Sequence, residues 1–211
     1  MVTDTPGNNL YEWLKIIRTR YWQYVGSQEL PALKGCIHGY LQGLFHNKVA
    51  EQSFPKYRWF STWVKGRIES ELDLGYGWDD YIISASLNED EAETFFTLYD
   101  EFIQSEIKCW HQSITNPKKM FREKPHGYSW ETLNDQTNEL LLFQLPPSTS
   151  CWCLMLDESK NILHTTDAES KEILLEKIKT NYFAVVDSEW ISFDGKFFLK
   201  NLILGREENN Y

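Results

Sequence analysis

The stretch from Glu69 to Glu106 contains no lysine and no arginine, although it carries twelve aspartate and glutamate residues. It also contains large aromatic residues, among them Trp78, Phe95 and Phe102. A helix with one negative, hydrated face and one apolar face would have this composition. Because the stretch lacks counter-charges of its own, its carboxylates either face a positively charged partner or are neutralised by basic residues elsewhere in the chain. The sequence leaves both explanations open.

Long apolar runs are also absent. No run reaches the roughly 18 residues that a membrane-spanning helix needs, and the polar segment from Met1 to Asn9 does not resemble a secretory signal. The four cysteines lack the spacing of a disulfide framework. We therefore expect a reduced, cytoplasmic protein without a membrane span.

Strong catalytic motifs are missing as well. The sequence has no G-x-S-x-G, no phosphate-binding glycine loop, no H-E-x-x-H and no dinucleotide fingerprint. We predict no cofactor and no metal. The net charge of −10 disfavours binding to nucleic acid or to an anionic membrane surface, because both partners would be negative.

Hydrophobic periodicity predicts an α+β protein of 211 residues. Residues 9–111 are predicted to form an all-helical domain of about five helices, the last of which continues through Ile107 to Trp110. Residues 112–138 contain prolines, lysines and asparagines with little periodicity and are predicted to be a linker or a long surface loop. Residues 139–211 are predicted to form a small α+β domain, an antiparallel sheet with one helix. Its predicted strands include Leu140 to Leu145, Tyr182 to Val186 and a hairpin of Cys151 to Leu156 with Asn161 to Thr165. The helix is predicted to bury Ile173, Leu174 and Ile178.

Several local signals support this outline. Asn8 or Asn9 can cap a first helix, whose predicted buried side is Leu10, Trp13, Leu14, Ile17 and Tyr21. Gly35, Gly39 and Gly43 recur every four residues along a second helix and predict a groove on which another helix can lie close. Asn88 with Glu91 has the form of a capping box for the fifth helix, and Thr166 with Glu169 has the same form for the helix of the second domain. Asp194-Gly195 is a strong signal for a hairpin turn within a hairpin from Trp190 to Leu199.

Other candidate sites have simpler structural explanations. Cys151 and Cys153 lie on one face of a predicted strand and, with His164, could supply three metal ligands, but packing as small core residues is favoured. His38 and His46 are expected to be one partly buried and one exposed histidine. Asp79 and Asp80 could act as an acid and base pair, although adjacent helix residues do not face each other.

Six short segments together resemble small, poorly characterised bacterial proteins, some encoded beside toxin genes. These segments are Trp13 to Arg20 (W-L-x-x-I-R-x-R), Tyr24 to Ser27, Gly39-Tyr40, Phe60 to Val64 (F-x-x-W-V), Gly77-Trp78 and Glu91 to Leu98 (E-A-x-x-F-F-x-L). The resemblance covers the first half of the chain and lacks the proline that follows the second arginine in those proteins. It implies an immunity-like or accessory binding protein.

We therefore expect a non-enzymatic protein that presents an acidic, aromatic-backed surface to a basic protein partner, for example a toxin. The predicted partner-binding residues are Asp73, Tyr76, Trp78, Asp79, Asp80, Glu93, Asp100 and Glu101. One alternative is an enzyme with a pocket between the helical and sheet halves. Another is a structural or self-associating module.

Overall fold

The described N-terminal part of the chain is mainly helical, and the described C-terminal part contains an antiparallel sheet. A computed structural model describes residues 7–70, 72, 77–86, 90–113, 137–181, 190–194 and 199–202. The predicted α+β class is confirmed. The chain divides into two compact units, one of Met1–Ser105 with Lys200–Tyr211 and one of Glu106–Leu199. We call the first the helical unit and the second the sheet unit.

The N-terminal residues of the helical unit that the structure describes form six α-helices. They are α1 (Leu10–Thr19), α2 (Tyr21–Tyr24), α3 (Leu30–His46), α4 (Phe60–Arg67), α5 (Trp78–Ala85) and α6 (Glu91–Gln104). A short 3₁₀ helix, Tyr57–Trp59, leads into α4. The predicted first helix is confirmed, because the Asn9 side chain accepts a hydrogen bond from the backbone N–H of Glu12. Gly26, which has a φ of +67°, separates α2 from α3.

Aromatic rings form the core of the helical unit. Phe60 of α4 is fully buried, and its ring centroid lies 5.6 Å from that of Phe95, 5.1 Å from Tyr99 and 5.4 Å from Phe102, all of α6. These pairs have the edge-on geometry that aromatic rings prefer, and each adds roughly 0.5–1.5 kcal/mol to the free energy of burial. The apolar face predicted for the fifth helix is therefore the face that packs on α4.

The start and the end of α6 both differ from the sequence prediction. The N-cap is Asp90, whose Oδ1 accepts hydrogen bonds from the N–H groups of Ala92 and Glu93; Asn88 lies outside the described residues. The helix ends at Gln104 instead of continuing to Trp110, because Lys108–Ser113 pairs with two other strands. The apolar residues of this segment are compatible with a helix or a strand. The strand forms because its backbone pairs with two strands that are distant in the sequence.

The sheet unit contains β1 (Lys108–Ser113), β2 (Glu139–Gln144), β3 (Cys151–Leu156), β4 (Ile162–Ala168) and β5 (Ile191–Asp194). Their order is β4-β3-β2-β1-β5, and every neighbouring pair is antiparallel. The predicted hairpin of Cys151 to Leu156 is confirmed as β3–β4. Helix α7 (Lys171–Asn181) packs on one face of the sheet, where Leu174 and Ile178 contact residues of β2 and β3.

Two predictions in this unit are wrong. Thr166 does not open a helix, since it lies inside β4 opposite Cys153; the Ser170 side chain instead accepts a hydrogen bond from the N–H of Ile173 at the start of α7. Ile173 was expected on the buried side of that helix, but its side chain is 53% exposed. The predicted strand of Tyr182 to Val186, the turn at Gly195 and most of the predicted linker lie outside the described residues. Residues 199–202 are helical, so the predicted strand does not extend to Leu199.

Candidate functional site

Two of the residues predicted to contact a partner are buried. The Trp78 side chain is 4% exposed, its ring lies 4.6 Å from that of Phe95, and its indole N–H donates to the Tyr57 hydroxyl. The neighbouring Asp79 is 6% exposed and accepts a hydrogen bond from Lys34 Nζ at 2.6 Å. Burial therefore leaves little of Trp78 and Asp79 that a partner could reach.

Three of the other predicted carboxylates have partners within the helical unit. Arg18 of α1 pairs with Asp100 at 2.9 Å and with Glu93, while Arg67 of α4 pairs with Glu101 at 2.8 Å. Basic helices therefore neutralise part of the acidic helix, which is the simpler of the two explanations left open by the sequence.

The remaining predicted residues are Asp80, Asp73 and Tyr76. Asp80 accepts a hydrogen bond from the N–H of Gly77 at 3.0 Å and so caps α5. Asp73 and Tyr76 lie outside the described residues.

One depression on the helical unit combines charge with exposed aromatic surface. It has a volume of about 200 Å³. It lies between α1, α2, the segment that precedes α3 and the first turns of α6. We call it the α2–α6 cleft. Its lining residues are Arg18, Tyr21, Trp22, Gln28, Asp90, Ala92, Glu93 and Phe96. A second depression of about 280 Å³ shares Asp90 and Glu93 with it.

Trp22 is one of the residues of this cleft that the sequence prediction missed. Its side chain is 61% exposed, although tryptophan is among the most apolar residues of the chain. The signal was present, since Trp22 follows the last residue of the predicted buried side of the first helix and has no place on that side. Such a residue at the rim of a cleft is typical of an interaction surface.

Tyr21 forms one wall of the cleft. Its ring meets that of Phe96 edge-on, with centroids 6.2 Å apart and an interplanar angle of 83°. The hydroxyl oxygen is shielded from solvent and has no hydrogen-bond partner among the described residues. Burial raises the pKa of this phenol, and the charges of Asp90, Cys36 and Glu91 raise it further. The hydroxyl therefore stays protonated at neutral pH and can both donate and accept a hydrogen bond.

No family model, no curated protein and no solved structure matches this chain. Its candidate sites therefore rest on geometry. None of the helices in the described part of the chain has the length and apolar character to cross a bilayer.

The cysteines of β3 are core residues. Cys151 and Cys153 are fully buried beneath α7, as the favoured explanation requires. Burial raises the pKa of the Cys151 thiol to about 12 and also raises that of Cys153, so neither thiol forms the nucleophilic thiolate readily at neutral pH. Among the described residues, no three His, Cys, Asp or Glu side chains are grouped to hold a metal ion.

The histidines differ from expectation at two positions. Both His38 and His46 are exposed, so the expectation of one partly buried residue is wrong. His111, which had no recognisable partner in the sequence, lies 3.3 Å from the carboxylate of Glu139, and Lys160 contacts the same carboxylate. His126 lies outside the described residues.

Proposed function

We propose that this protein is a non-enzymatic, immunity-like binding protein and that it recognises a basic protein partner through the α2–α6 cleft. The observation that carries the proposal is the 61% exposed side chain of Trp22, which lines the same depression as the carboxylates of Asp90 and Glu93. The proposal keeps the acidic and aromatic character expected from the sequence. Of the predicted residues it retains Glu93, and it adds Trp22 and Asp90.

The local charge supports a basic partner even though several ion pairs form within the unit. The guanidinium of Arg18 faces the carboxylates of Glu93 and Asp100, and Asp90 adds a third carboxylate at the cleft. One positive charge against three negative charges leaves a local net charge of −2. An excess of this sign speeds association with a positively charged surface and disfavours a negatively charged one.

The exposed ring of Trp22 would add apolar contact to the electrostatic attraction. A tryptophan side chain offers roughly 150–250 Å² of surface, so covering the exposed part of Trp22 would contribute roughly 3 kcal/mol. Buried aromatic anchors of this kind hold many protein complexes together, whereas charges at the rim mainly steer the encounter. Binding of a basic toxin by an immunity protein uses both effects, which agrees with the resemblance seen in the first half of the sequence.

The test requires the partner and a pair of matched charge variants. The protein would first be used to capture and identify its partner from the native host. Association rates would then be measured for Asp90→Asn with Glu93→Gln and for the control Glu12→Gln with Glu69→Gln, two exposed carboxylates that do not line the cleft. We expect the first pair to slow association by about fivefold or more at low ionic strength and the control to leave it nearly unchanged. Equal rates for both pairs, or a captured partner with an acidic contact surface, would contradict the proposal.

A further inference from the structure

The α2–α6 cleft has the chemistry of a receptor for a single planar cation. We propose that it binds the guanidinium group of one arginine side chain of the partner, laid against Trp22 and paired with the carboxylates of Asp90 and Glu93. This inference rests on the proposed function, because it names the group that the basic partner contributes.

The aromatic surface of the cleft favours a flat cation. Tyr21, Trp22 and Phe96 all line the depression, and the indole of Trp22 is open to solvent. A guanidinium stacks on an aromatic face and is attracted by the negative potential of the ring, and tryptophan is the best of the aromatic side chains for this contact. The more strongly hydrated, compact ammonium group of lysine gains less from a flat apolar surface.

The carboxylates supply the matching hydrogen-bond acceptors. Asp90 caps α6 through Oδ1, which accepts both of the backbone N–H bonds described at this helix terminus. Asp90 and Glu93 both line the cleft. Carboxylate oxygens are the acceptors that match the fork of N–H donors that a guanidinium presents.

The protein already uses this arrangement for one of its own arginines. The guanidinium carbon of Arg18 lies 5.4 Å from the centroid of the Phe96 ring, while its nitrogens pair with Glu93 and Asp100. One ring and two carboxylates therefore already hold the guanidinium of Arg18. Trp22 and Asp90 line the same cleft and offer another ring and another carboxylate for a second guanidinium.

The first experiment compares three capped hexapeptides, made of arginine, lysine or the neutral arginine isostere citrulline, by titration calorimetry at low ionic strength. We expect hexa-arginine to bind more tightly than hexa-lysine, and hexa-citrulline not to bind detectably. Trp22→Ala should weaken the binding of hexa-arginine by about fivefold to tenfold and remove its advantage over hexa-lysine, because the stacking surface is lost. Trp22→Phe should retain part of that advantage.

The matched control is Phe45→Ala, which removes a ring that is 68% exposed and does not line the cleft. It should leave peptide binding unchanged, and thermal unfolding would verify that every variant is folded. In a ¹⁵N NMR spectrum, the indole N–H signal that disappears in Trp22→Ala should be the signal that shifts when hexa-arginine is added to the unmodified protein. Asp90→Asn, which keeps the helix cap, should weaken binding without unfolding the protein.

Equal binding of the arginine and lysine peptides, or equal losses in Trp22→Ala and Phe45→Ala, would overturn the inference, because non-specific charge attraction would then explain the binding. If capture of the native partner depends on Asp90 and Glu93 but not on Trp22, the proposed function stands and the arginine site fails. If hexa-arginine shifts the Trp22 signal but the native partner binds elsewhere, the arginine site stands and the proposed function fails.

Discussion

At the scale of single residues, Glu51 holds the start of the helical unit together. Its Oε1 accepts hydrogen bonds from the N–H of Leu10 at 3.0 Å and from the N–H of Ser53 at 2.7 Å. Its backbone carbonyl accepts a hydrogen bond from the buried side chain of Lys56. The first amide of α1, which has no partner within its own helix, is thereby satisfied by a residue 41 positions away.

Replacing Glu51 by alanine should therefore destabilise the helical unit by roughly 2–4 kcal/mol, because two partly buried N–H donors lose their acceptor. Glu51→Gln keeps an acceptor oxygen in the same place and should cost clearly less. Urea unfolding of the two variants, followed by circular dichroism, measures the difference. Equal losses of stability would show that the two N–H groups are satisfied in another way when the carboxylate is removed.

At the scale of secondary structure, α3 carries three glycines that its own packing does not require. A Cβ atom built on Gly35, Gly39 or Gly43 would meet no heavy atom within 4 Å. The groove predicted from their spacing therefore lies open among the described residues. Glycine inside a helix is less stable than alanine, since the unfolded chain has more conformations to lose.

Each of the substitutions Gly35→Ala, Gly39→Ala and Gly43→Ala should therefore raise the free energy of unfolding by about 0.5–1 kcal/mol. Gly77→Ala is the opposite case, because its Cβ would collide with the side chains of Asp79 and Lys34 and disturb their ion pair. Gly26→Ala should also destabilise, since its φ of +67° is unfavourable for alanine. Thermal unfolding of the five variants tests this, and a loss of stability at Gly39 would indicate a neighbour on α3.

Elements whose signal is local could be predicted from the sequence. The cap of α1 by Asn9, the apolar face of α6 and the β3–β4 hairpin all depend on residues a few positions apart, and all three are confirmed. The end of α6 depends on pairing between Lys108–Ser113 and strands far along the chain. No short window of sequence contains that information.

The candidate site was predictable only in its composition. Acidic and aromatic residues near α6 were expected, but the pairing of Arg18 with Asp100, 82 positions apart, is a tertiary contact that charge counting does not reveal. Burial of Trp78 and exposure of Trp22 likewise depend on which ring the other helices cover. Residue type indicated the chemistry, whereas the packing of the helices decided which side chains reach the surface.

At the scale of the whole molecule, stability should fall at alkaline pH because of groups that are buried in neutral form. Burial raises the pKa of the Cys151 thiol to about 12, against about 8.5 in an unfolded chain. Below about pH 8.5 the thiol is protonated in both the folded and the unfolded state, so this group does not make the free energy of unfolding depend on pH. Between about pH 8.5 and 12 only the folded state keeps the proton, so stability decreases as pH rises.

The expected slope is about 1.4 kcal/mol per pH unit for each such group. Urea unfolding under reducing conditions from pH 8 to 11, followed at Trp152 in the same strand, would measure it. Cys151→Ala should show a shallower decrease than the unmodified protein, whereas Cys36→Ala, which changes a partly exposed thiol, should not. Identical slopes for all three proteins would contradict the assigned role of Cys151.

The ring contacts between α4 and α6 also constrain the order of events during synthesis on the ribosome. Phe60 and Trp63 leave the ribosome well before Phe102, on which both of them pack. Arg18 likewise cannot form its ion pairs until Glu93 and Asp100, which lie 75 and 82 positions later in the chain, have been translated. The helices made first therefore expose their apolar faces until α6 has emerged, so a nascent chain that stops before residue 90 lacks the element that completes its core.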